Sequence, residues 1–542
     1  NRKSLTNLRK IGMKRRSKLN SIIKNTNSRS TTTGVSNSRD PAESTSSHPE
    51  HSRPEAVIEE KVQRSYSQNL VLDAARSIED LTMSIWDFGG QEVFYTMHHI
   101  FLTKRGIYLV VFDAREAANP DSVEDLKRNL LFWLRSVKLH APDAPVLLVG
   151  THIGDMQESL MEVANMLQDT IKNNFPQVLR EKKYVFFPVD NRHRLGIDKL
   201  RRAIEVNARL DEGIKQEVSI RWMALLDEIQ AREATRPFLT LENDVRPICR
   251  NVGITSSLEQ EEALEYFHQR GFIIHLTSSE VLKNYIVIQP MWLIDGLSRV
   301  IRDPLIHVNY DLFESAGLRE EAINTFEGGV TSKDFLDFVW EGYPIGFFVD
   351  LMKRTMLLSE WDEGEQYLIP SLLKKKTTDN EDSHAGTNIT FDFSESFLPK
   401  GIFPRLVCLC IEYSSRKVAK DYHRVLYRDY ASIKLSDSIK ILLIEDEENL
   451  RINCVVRDRF MSRKAIEIVQ SMLHKIDYDV SGGGLKFKTF VTHEETNKQY
   501  SFADARKPNS LFPFLQDEEP QRQHKCSLEY TNFELNAFLE GL

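Results

Sequence analysis

The chain has 542 residues, which is enough for about three domains. Hydrophobic residues make up 41% of it and charged residues 28%, as in globular proteins that bury sizeable cores. The net charge of −8 argues against a nucleic-acid-binding protein. The five cysteines form no C-x-x-C pair, which argues against a disulfide framework or a zinc site and favours a reducing, cytoplasmic location. No apolar run approaches the roughly 18 residues of a transmembrane segment.

The first 55 residues divide into a basic segment and a polar one. Residues 1–24 contain many Lys and Arg, and Leu5, Leu8 and Ile11 recur at helical spacing. We therefore interpret this segment as a helix with a basic polar face rather than as a nucleic-acid-binding arm. Residues 25–55 are rich in Ser, Thr, Asn and Pro, so they are predicted to be disordered. Because the sequence starts at Asn1 and not at Met, we expect it to be incomplete at the N-terminus.

Residues 56–208 are predicted to form an α/β domain with a parallel sheet. Short strands are expected early in this region, and three later apolar runs have the look of buried parallel strands. Alternation of strands with helices is typical of a parallel sheet with right-handed crossovers. The predicted strands are 66–72, 81–86, 106–113, 145–150 and 183–189, and the predicted helices are 121–140, 159–174 and 196–208.

Polar residues follow four of the predicted strands. Asp87 starts the stretch after one strand, Asp113 ends the next, Thr151 begins a stretch that extends to Asp155, and Asp190 follows the last. Ligands of parallel sheets bind at the carboxyl ends of the strands. Because four strand ends carry polar residues, the sequence predicts a ligand site at this edge of the sheet.

Three short motifs resemble the Roc GTPase domain of the Roco family. They are residues 86–91 (Trp-Asp-Phe-Gly-Gly-Gln), 94–99 (Phe-Tyr-Thr-Met-His-His) and 149–152 (Val-Gly-Thr-His). In that family, Thr-His replaces the Asn-Lys of the usual guanine-recognition motif. Residues 219–226, 286–295 and 396–406 resemble the COR region that follows Roc. The resemblance covers residues 81 to 491, and its motifs are more specific as an ordered set than singly.

The resemblance implies a Ras-like, parallel-sheet P-loop GTPase domain followed by an α+β COR domain. The Roc part would be residues 56–208, without its first strand and P-loop. The first COR subdomain, with a winged-helix-like fold, would be 209–373. A linker over 374–388 would lead to a second, antiparallel-sheet subdomain over 389–500 and a tail over 501–542. Within COR, we predict a helix over residues 333–353 and a strand-like run with buried thiols at residues 408–410.

The resemblance also implies a function and a set of site residues. The protein would bind GTP or GDP with Mg²⁺, hydrolyse GTP slowly and form a homodimer through COR. Gln91 would orient the attacking water, Asp87 would hold Mg²⁺ through water, and the backbone N–H of Gly90 would meet the γ-phosphate. The residues expected to bind nucleotide are Lys3, Ser4, Thr32, Asp87, Gly90, Thr151, His152 and Asp155, of which Ser4, Thr32 and Asp87 would also serve the metal.

The sequence departs from the family pattern in two places. It contains no G-x-x-x-x-G-K-[ST] phosphate loop, and Lys3 and Ser4, the nearest remnant, follow Arg2 in place of glycine. Asp155 falls one position later than in Thr-His-x-Asp, which weakens the expected selectivity for guanine. We therefore expect this chain to bind nucleotide weakly or not at all. Two alternatives remain open: a pseudo-GTPase scaffold with a decayed site, and part of a Roco-type serine/threonine protein kinase whose kinase domain lies outside this chain.

Overall fold

A computed structural model describes most of the chain after residue 82, within a compact unit of residues 55–542. The predicted helix over residues 1–24, the loop over 25–55 and the strand over 66–72 lie outside the described residues. None of the helices that the structure describes is long and apolar enough to cross a bilayer. The described residues are 83, 85–87, 101–103, 106–154, 156, 159–171, 174–181, 184–210, 218–302, 310–362, 365–376, 386–395, 398–416, 425–481, 485–516, 535–536 and 538–539.

The first part of the described chain is built on a parallel sheet, as predicted. Its strands are β1 (Tyr108–Asp113), β2 (Val146–Thr151) and β3 (Phe187–Pro188), hydrogen-bonded in that order. Residues 146–150 of β2 are buried, as expected for a central strand of a covered parallel sheet. The helices of this part are α1 (Ala114–Ala118), α2 (Val123–His140), α3 (Leu160–Ile171) and α4 (Ile197–Leu210).

Helix α2 owes its orientation to apolar residues spaced three or four positions apart. Leu126, Leu130, Leu134 and Val137 are each at most 4% exposed and pack in the same core as β1 and β2. Trp133 of the same helix is only partly buried and packs at the border of this core. The packing of α2 against β1 and β2 thereby supports the loops at the carboxyl ends of these strands.

The described part of the predicted strand 81–86 is not a strand. Ile85 and Trp86 have no regular secondary structure, and Ile85 is 87% exposed. The ring of Trp86 instead packs against Phe101, with 5.7 Å between the ring centroids. Phe101 is 8% exposed and belongs to the aromatic core of the domain that follows. Trp86 and Phe101 thus pack with a core whose other buried residues lie between positions 274 and 372. The local pattern over residues 81–86, which predicted a strand, cannot reveal these partners.

Residues 218–376 form a helical domain with two small antiparallel sheets. One sheet has the order β4–β6–β5 and the other β7–β9–β8. Its strands are β4 (Phe238–Thr240), β5 (Ile274–His275), β6 (Tyr285–Val287), β7 (Val330–Ser332), β8 (Ser359–Asp362) and β9 (Gln366–Leu368). Its helices are α5 (Ile220–Gln230), α6 (Arg246–Asn251), α7 (Ser257–Gln269), α8 (Glu280–Lys283), α9 (Pro290–Ser298), α10 (Tyr310–Ser315), α11 (Arg319–Gly328), α12 (Lys333–Val339) and α13 (Ile345–Arg354).

The single helix predicted over residues 333–353 is two helices, α12 and α13. Between them, Gly342 adopts a φ of 80° and Pro344 caps the start of α13. A proline cannot continue a helix through its own position, because it lacks the N–H and clashes with the preceding turn. The break lets aromatic rings from both helices enter one core, where Trp340 and Phe348 stack with 5.4 Å between centroids.

The last part of the described chain is a seven-stranded antiparallel sheet covered by two long helices. An antiparallel sheet was predicted here, and the strand order is β11–β12–β13–β14–β10–β15–β16. Its strands are β10 (Thr387–Asp392), β11 (Val425–Leu426), β12 (Tyr430–Lys434), β13 (Lys440–Asp446), β14 (Arg451–Val456), β15 (Lys488–Thr492) and β16 (Gln499–Ser501). Its helices are α14 (Ile402–Ser415), α15 (Ser462–Val480) and α16 (Phe502–Ala505).

The run Cys408–Leu409–Cys410 lies in helix α14, so the prediction of a strand-like run is wrong. Eleven of the 14 residues of this helix are buried, and residues 406–411 are apolar without interruption. Such a run carries no periodicity that separates a buried helix from a buried strand. The thiols of Cys408 and Cys410 are free and buried, as predicted, and burial raises the pKa of Cys408 to about 12.

Candidate functional site

Three of the four predicted strand ends meet at one edge of the parallel sheet. Asp113 ends β1 and is the register partner of Thr151, which ends β2. Asp190 follows β3 two residues after Pro188, and Pro188 pairs with Gly150 of β2. The prediction that polar residues gather at this carboxyl edge is confirmed for these three strands.

The hydroxyl of Thr151 joins the first two strand ends. It donates a hydrogen bond of 3.0 Å to the carbonyl oxygen of Phe112. Because a hydroxyl has a single hydrogen, its oxygen can then only accept from its other neighbours. One such neighbour is Nδ1 of His152, at 3.2 Å.

His152 is held in a backbone conformation that few side chains adopt. Its φ is 60°, in the left-handed region that disfavours residues with a Cβ. The ring nitrogen Nδ1 lies 3.1 Å from Oδ2 of Asp113, across the strand boundary. The side chain is still 55% exposed, so the ring is anchored on one side and open to solvent on the other.

The carboxylate of Asp113 is itself held by Arg115. The guanidinium donates from Nη2 to Oδ2 at 2.6 Å and from Nε to Oδ1 at 3.0 Å. The backbone N–H of Arg115 also donates to Oδ1 at 3.0 Å, which caps helix α1. These hydrogen bonds, above all from the Arg115 side chain, lower the pKa of Asp113 against the effect of burial. Asp113 is therefore an ionised acceptor at neutral pH.

A second Asp–His pair lies in the loop after β3. Oδ2 of Asp190 is 2.6 Å from Nδ1 of His193, and Oδ1 accepts from the backbone N–H of Arg192 at 2.8 Å. The hydrogen bond from His193 is the main reason why the pKa of Asp190 is lowered. Backbone hydrogen bonds in both directions between Asp190 and Leu195 close the loop. This closed loop fixes the residues that border the edge of the sheet.

Two glycines allow the loops at this edge to approach each other. A Cβ on Gly154 would lie 2.9 Å from Oδ2 of Asp190, so the loop after β2 passes directly beside the loop after β3. Gly196 adopts a φ of 78°, and a Cβ there would lie 2.0 Å from the carbonyl oxygen of Pro188. Neither position has room for a side chain in this arrangement.

The structure brings together only some of the predicted site residues. Thr151 and His152 lie together with Asp113, whereas the described Asp87 is exposed and belongs to no strand of the sheet. No group of three or more His, Cys, Asp or Glu able to hold a metal occurs among the residues that the structure describes. The other predicted site residues, Lys3, Ser4, Thr32, Gly90, Gln91 and Asp155, lie outside the described residues.

Sequence reasoning missed two residues that shape this edge, Arg115 and His193. Each follows an aspartate at the end of a strand, at two and three positions respectively. An Asp-x-Arg or Asp-x-x-His sequence directly after a buried strand places both groups on one tight turn. That spacing was the available signal, and it was visible in the sequence.

Comparison with protein families adds a domain order to this geometry. Residues 49–154 match the family described as "Ras of Complex, Roc, domain of DAPkinase". Residues 219–373 match the family described as "C-terminal of Roc, COR-A domain". The chain belongs to the Roco family. The parallel-sheet part is thus its Roc domain, and the helical domain that follows is COR-A, as the sequence motifs predicted.

Relatives of this Roc–COR chain are much longer proteins. Over 227 residues, it is 28% identical to "Probable serine/threonine-protein kinase pats1" of Dictyostelium discoideum, covering 41% of this chain and 7% of the relative. Over 242 residues, it is 26% identical to "Probable serine/threonine-protein kinase roco5" of the same organism, covering 44% and 8%. The solved "Structure of methanosarcina barkeri Roco2 RocCORdC bound to GDP" aligns with a TM-score of 0.40 and 24% identity, over 53% of this chain and 79% of that one.

Proposed function

We propose that this chain is a guanine-nucleotide switch, in which Roc binds GTP or GDP with Mg²⁺ and hydrolyses GTP slowly. The observation that carries the proposal is the meeting of Asp113, Thr151, His152 and the loop of Asp190 at the carboxyl edge of a parallel sheet in a Roc domain. This edge is where open α/β sheets bind their ligands. Hydrogen-bonded loops and partly exposed polar atoms make it suited to a planar, polar base.

The donors and acceptors at this edge fit one side of a guanine nucleotide. Guanine presents donors at N1 and at its 2-amino group and therefore needs acceptors from the protein. The carboxylates of Asp113 and Asp190 already accept from Arg115 and His193. We expect the acceptor for guanine to come from Asp155, as the family motif suggests, or from the exposed ring of His152.

The phosphate side of the proposal rests on sequence motifs. Asp87 would hold Mg²⁺ through water, Gly90 would contact the γ-phosphate and Gln91 would orient the attacking water. A bound Mg²⁺ would neutralise part of the charge on the phosphates. Lys3, Ser4 and Thr32 are the remaining candidates for this side. Of all these residues, the structure describes Asp87, whose exposure leaves its carboxylate accessible.

Binding of a fluorescent GDP analogue tests the proposal directly. The chain, with Mg²⁺ present, is titrated up to about millimolar nucleotide, because affinities of that order correspond to only about 4 kcal/mol of binding free energy. We expect saturable binding that GDP reverses and ADP does not. Circular dichroism and thermal melting are recorded in parallel. Absence of binding by folded protein would contradict the proposal.

A second candidate is a Roc-derived scaffold without nucleotide turnover. It is favoured by Trp86, whose ring packs against Phe101 while residues 85–87 form no strand of the sheet, and by the later position of Asp155. This candidate predicts neither binding nor GTP hydrolysis. Phosphate release measured over hours with GTP, against a blank with the Gln91→Leu variant, separates the two candidates, since slow turnover that Gln91→Leu abolishes excludes the scaffold.

Dimerisation and the parent protein form the remaining part of the proposal. We expect a homodimer through COR, which analytical ultracentrifugation of the chain would reveal as a species of twice the monomer mass. We also expect a cytoplasmic location.

Two relatives are named as probable protein kinases, but the matches cover 7% and 8% of their lengths. Kinase activity of a longer parent would be tested by phosphorylation assays on the full-length product of the gene.

A further inference from the structure

The position of a hydrogen on His152 follows from the neighbours of its Nδ1 atom. Nδ1 faces Oδ2 of Asp113 at 3.1 Å and Oγ1 of Thr151 at 3.2 Å. Thr151 donates its hydrogen to the carbonyl of Phe112, which can only accept. Asp113, ionised beside Arg115, can also only accept. Because both neighbours are acceptors, Nδ1 carries the hydrogen.

This assignment decides what the other ring nitrogen offers. In a neutral imidazole, a hydrogen on Nδ1 leaves Nε2 with a free lone pair, so Nε2 is an acceptor. Within the part of the chain that the structure describes, Nε2 has no hydrogen-bond partner, and the side chain is 55% exposed. In the neutral ring, an oriented, solvent-accessible acceptor therefore lies at the carboxyl edge of the sheet.

We propose that Asp113, itself held by Arg115, is a positioning residue that keeps His152 in the Nδ1–H form, so that Nε2 accepts a hydrogen bond from the donor edge of guanine. This rests on the proposed nucleotide site. Guanine offers two donors, N1–H and the 2-amino group, whereas the corresponding N1 of adenine is an acceptor that would face the lone pair. His152 would thus supply part of the base recognition that the later position of Asp155 weakens.

The substitution Asp113→Asn replaces one carboxylate oxygen by an amide nitrogen and so tests whether Asp113 fixes the position of the hydrogen on His152. In Asp113→Asn, the oxygen that accepts from the N–H of Arg115 can stay in place, which preserves the cap of α1. The amide nitrogen then replaces Oδ2, so it loses the hydrogen bond from Nη2 of Arg115 and donates to Nδ1 of His152. The histidine is expected to switch to the Nε2–H form, as an Asp→Asn exchange does in a catalytic triad. Nε2 would then present a hydrogen to the donor edge of guanine.

The first test observes the ring nitrogens of His152 by NMR without any nucleotide. Protein labelled with ¹⁵N in the histidine rings is measured at about pH 8, where an ordinary imidazole is neutral. The signals of His152 are assigned by their loss in His152→Gln. We expect a protonated Nδ1 and a bare Nε2 in the wild type, and the reverse in Asp113→Asn. A hydrogen on Nε2 in the wild type would overturn the proposal.

Arg115→Met provides a second variant for the same measurement. It keeps the carboxylate and the backbone cap and removes only the guanidinium that orients them. We expect the signals of both tautomers of His152, because the carboxylate is no longer fixed. Asp125→Asn is the matched control, since Asp125 pairs with Arg128 on the exposed face of α2 and its loss should leave His152 unchanged.

The second test measures affinity for GDP and for inosine diphosphate, which lacks the 2-amino group. Asp113→Asn is expected to weaken GDP binding about 3- to 10-fold, the value of one neutral hydrogen bond, and Asp125→Asn to leave it unchanged. The preference of the wild type for GDP over inosine diphosphate should shrink in Asp113→Asn. Equal GDP affinity of a variant with reversed tautomer would exclude His152 as the base acceptor.

The two tests separate failure of this inference from failure of the proposed function. If the wild type binds no GDP, the proposed function and base recognition by His152 both fall, whatever the tautomer. If GDP binds but the tautomer is Nε2–H, the proposed function stands and the role of Asp113 is refuted. Melting temperatures of all variants show whether a lost affinity reflects unfolding.

Discussion

The hydroxyl of Thr151 donates a hydrogen bond of 3.0 Å to the carbonyl of Phe112, so the ends of β1 and β2 are tied together where the site begins. Gly150, the residue before Thr151 in β2, lies against two aromatic rings. A Cβ at this position would be 2.7 Å from Cε2 of Phe186 and 3.1 Å from Cζ of Phe112. The geometry of the site thus depends on a glycine in the strand that carries Thr151.

Gly150→Ala should destabilise the Roc domain. Phe186 is fully buried, so its ring cannot move away without disturbing the core. Overpacking of this kind costs about 1–3 kcal/mol of unfolding free energy. Urea denaturation followed by circular dichroism measures the loss, and nucleotide titration shows whether the site shifts with the strand.

Gly346→Ala is the matched control for that substitution. Gly346 lies in the first turn of α13, and nothing lies within 4 Å of a Cβ placed on it. Alanine is favoured over glycine in helices by about 1 kcal/mol, so this variant should be slightly more stable than the wild type. A destabilised Gly346→Ala together with a neutral Gly150→Ala would contradict the steric explanation.

The contrast between predicted and unpredicted features of this chain has a physical reason. The ends of β1 and β2 were predictable because both strands are continuous apolar runs that stop at a polar residue, although only β2 is buried on both faces and Leu109 and Val111 of β1 are exposed. Residues 85–87 escaped the pattern because Trp86 packs with Phe101 and the COR-A core, which local sequence does not reveal. Helix α14 escaped it because a helix buried on every side has no polar face.

The same logic applies to the site itself. Thr151 and His152 were found through a family motif, since nothing in local periodicity marks them as functional. The role of Asp113 depends on a contact with His152 that exists only once β1 and β2 pair in register. The sequence predicts that all three residues lie at strand ends, and the structure shows the distances between them.

Arg405→Met should destabilise the junction between COR-A and the antiparallel-sheet domain. Arg405 is 2% exposed; its Nε donates to the carbonyl of Thr355 at 3.1 Å and its Nη1 to that of Gly401 at 2.9 Å. Burial lowers its pKa to about 10. Methionine fills similar space but leaves the Thr355 carbonyl without this donor, at a cost of about 2–3 kcal/mol.

Differential scanning calorimetry measures that cost and shows whether COR-A and the antiparallel-sheet domain still melt together. Arg246→Met is the control, because Arg246 pairs with Glu242 on a surface where both side chains are about half exposed. Loss of such a pair costs less than about 1 kcal/mol. Equal effects of the two substitutions would show that Arg405 does not tie the domains together.

Phe538→Ala should weaken the antiparallel-sheet domain, although the segment after residue 500 carries no clear sequence pattern. Phe538 is 5% exposed, and its ring lies 5.3 Å from that of Tyr413 on α14. The guanidinium of Arg416 lies 4.8 Å from the centre of the same ring. Truncation of a buried Phe costs about 3–5 kcal/mol in a closed core.

Limited proteolysis combined with thermal melting tests this contact. Faster cleavage after residue 516 and a lower melting temperature are expected for Phe538→Ala. Leu511→Ala is the control, since Leu511 is 53% exposed and should tolerate the change. An unchanged proteolytic pattern in Phe538→Ala would mean that the contact with Tyr413 contributes little to stability.

Glu445→Gln should make the protein less sensitive to rising pH. Burial in β13, together with the negative charges of Glu447 and Asp429, raises the pKa of Glu445 to about 8, against the opposing charges of Arg428 and Lys375. The folded state therefore holds this proton more tightly than the unfolded state. The stability that this proton brings is complete below about pH 4 and is lost as pH rises towards about pH 8. Glutamine mimics the protonated form, so the unfolding free energy of the variant should exceed that of the wild type by about 1–3 kcal/mol at about pH 8.5 and match it near about pH 5.

Urea denaturation at both pH values measures the difference in unfolding free energy. Glu495→Gln, which removes the same charge from an exposed turn, should show no such pH dependence. A constant offset between Glu445→Gln and the wild type at all pH values would contradict the raised pKa.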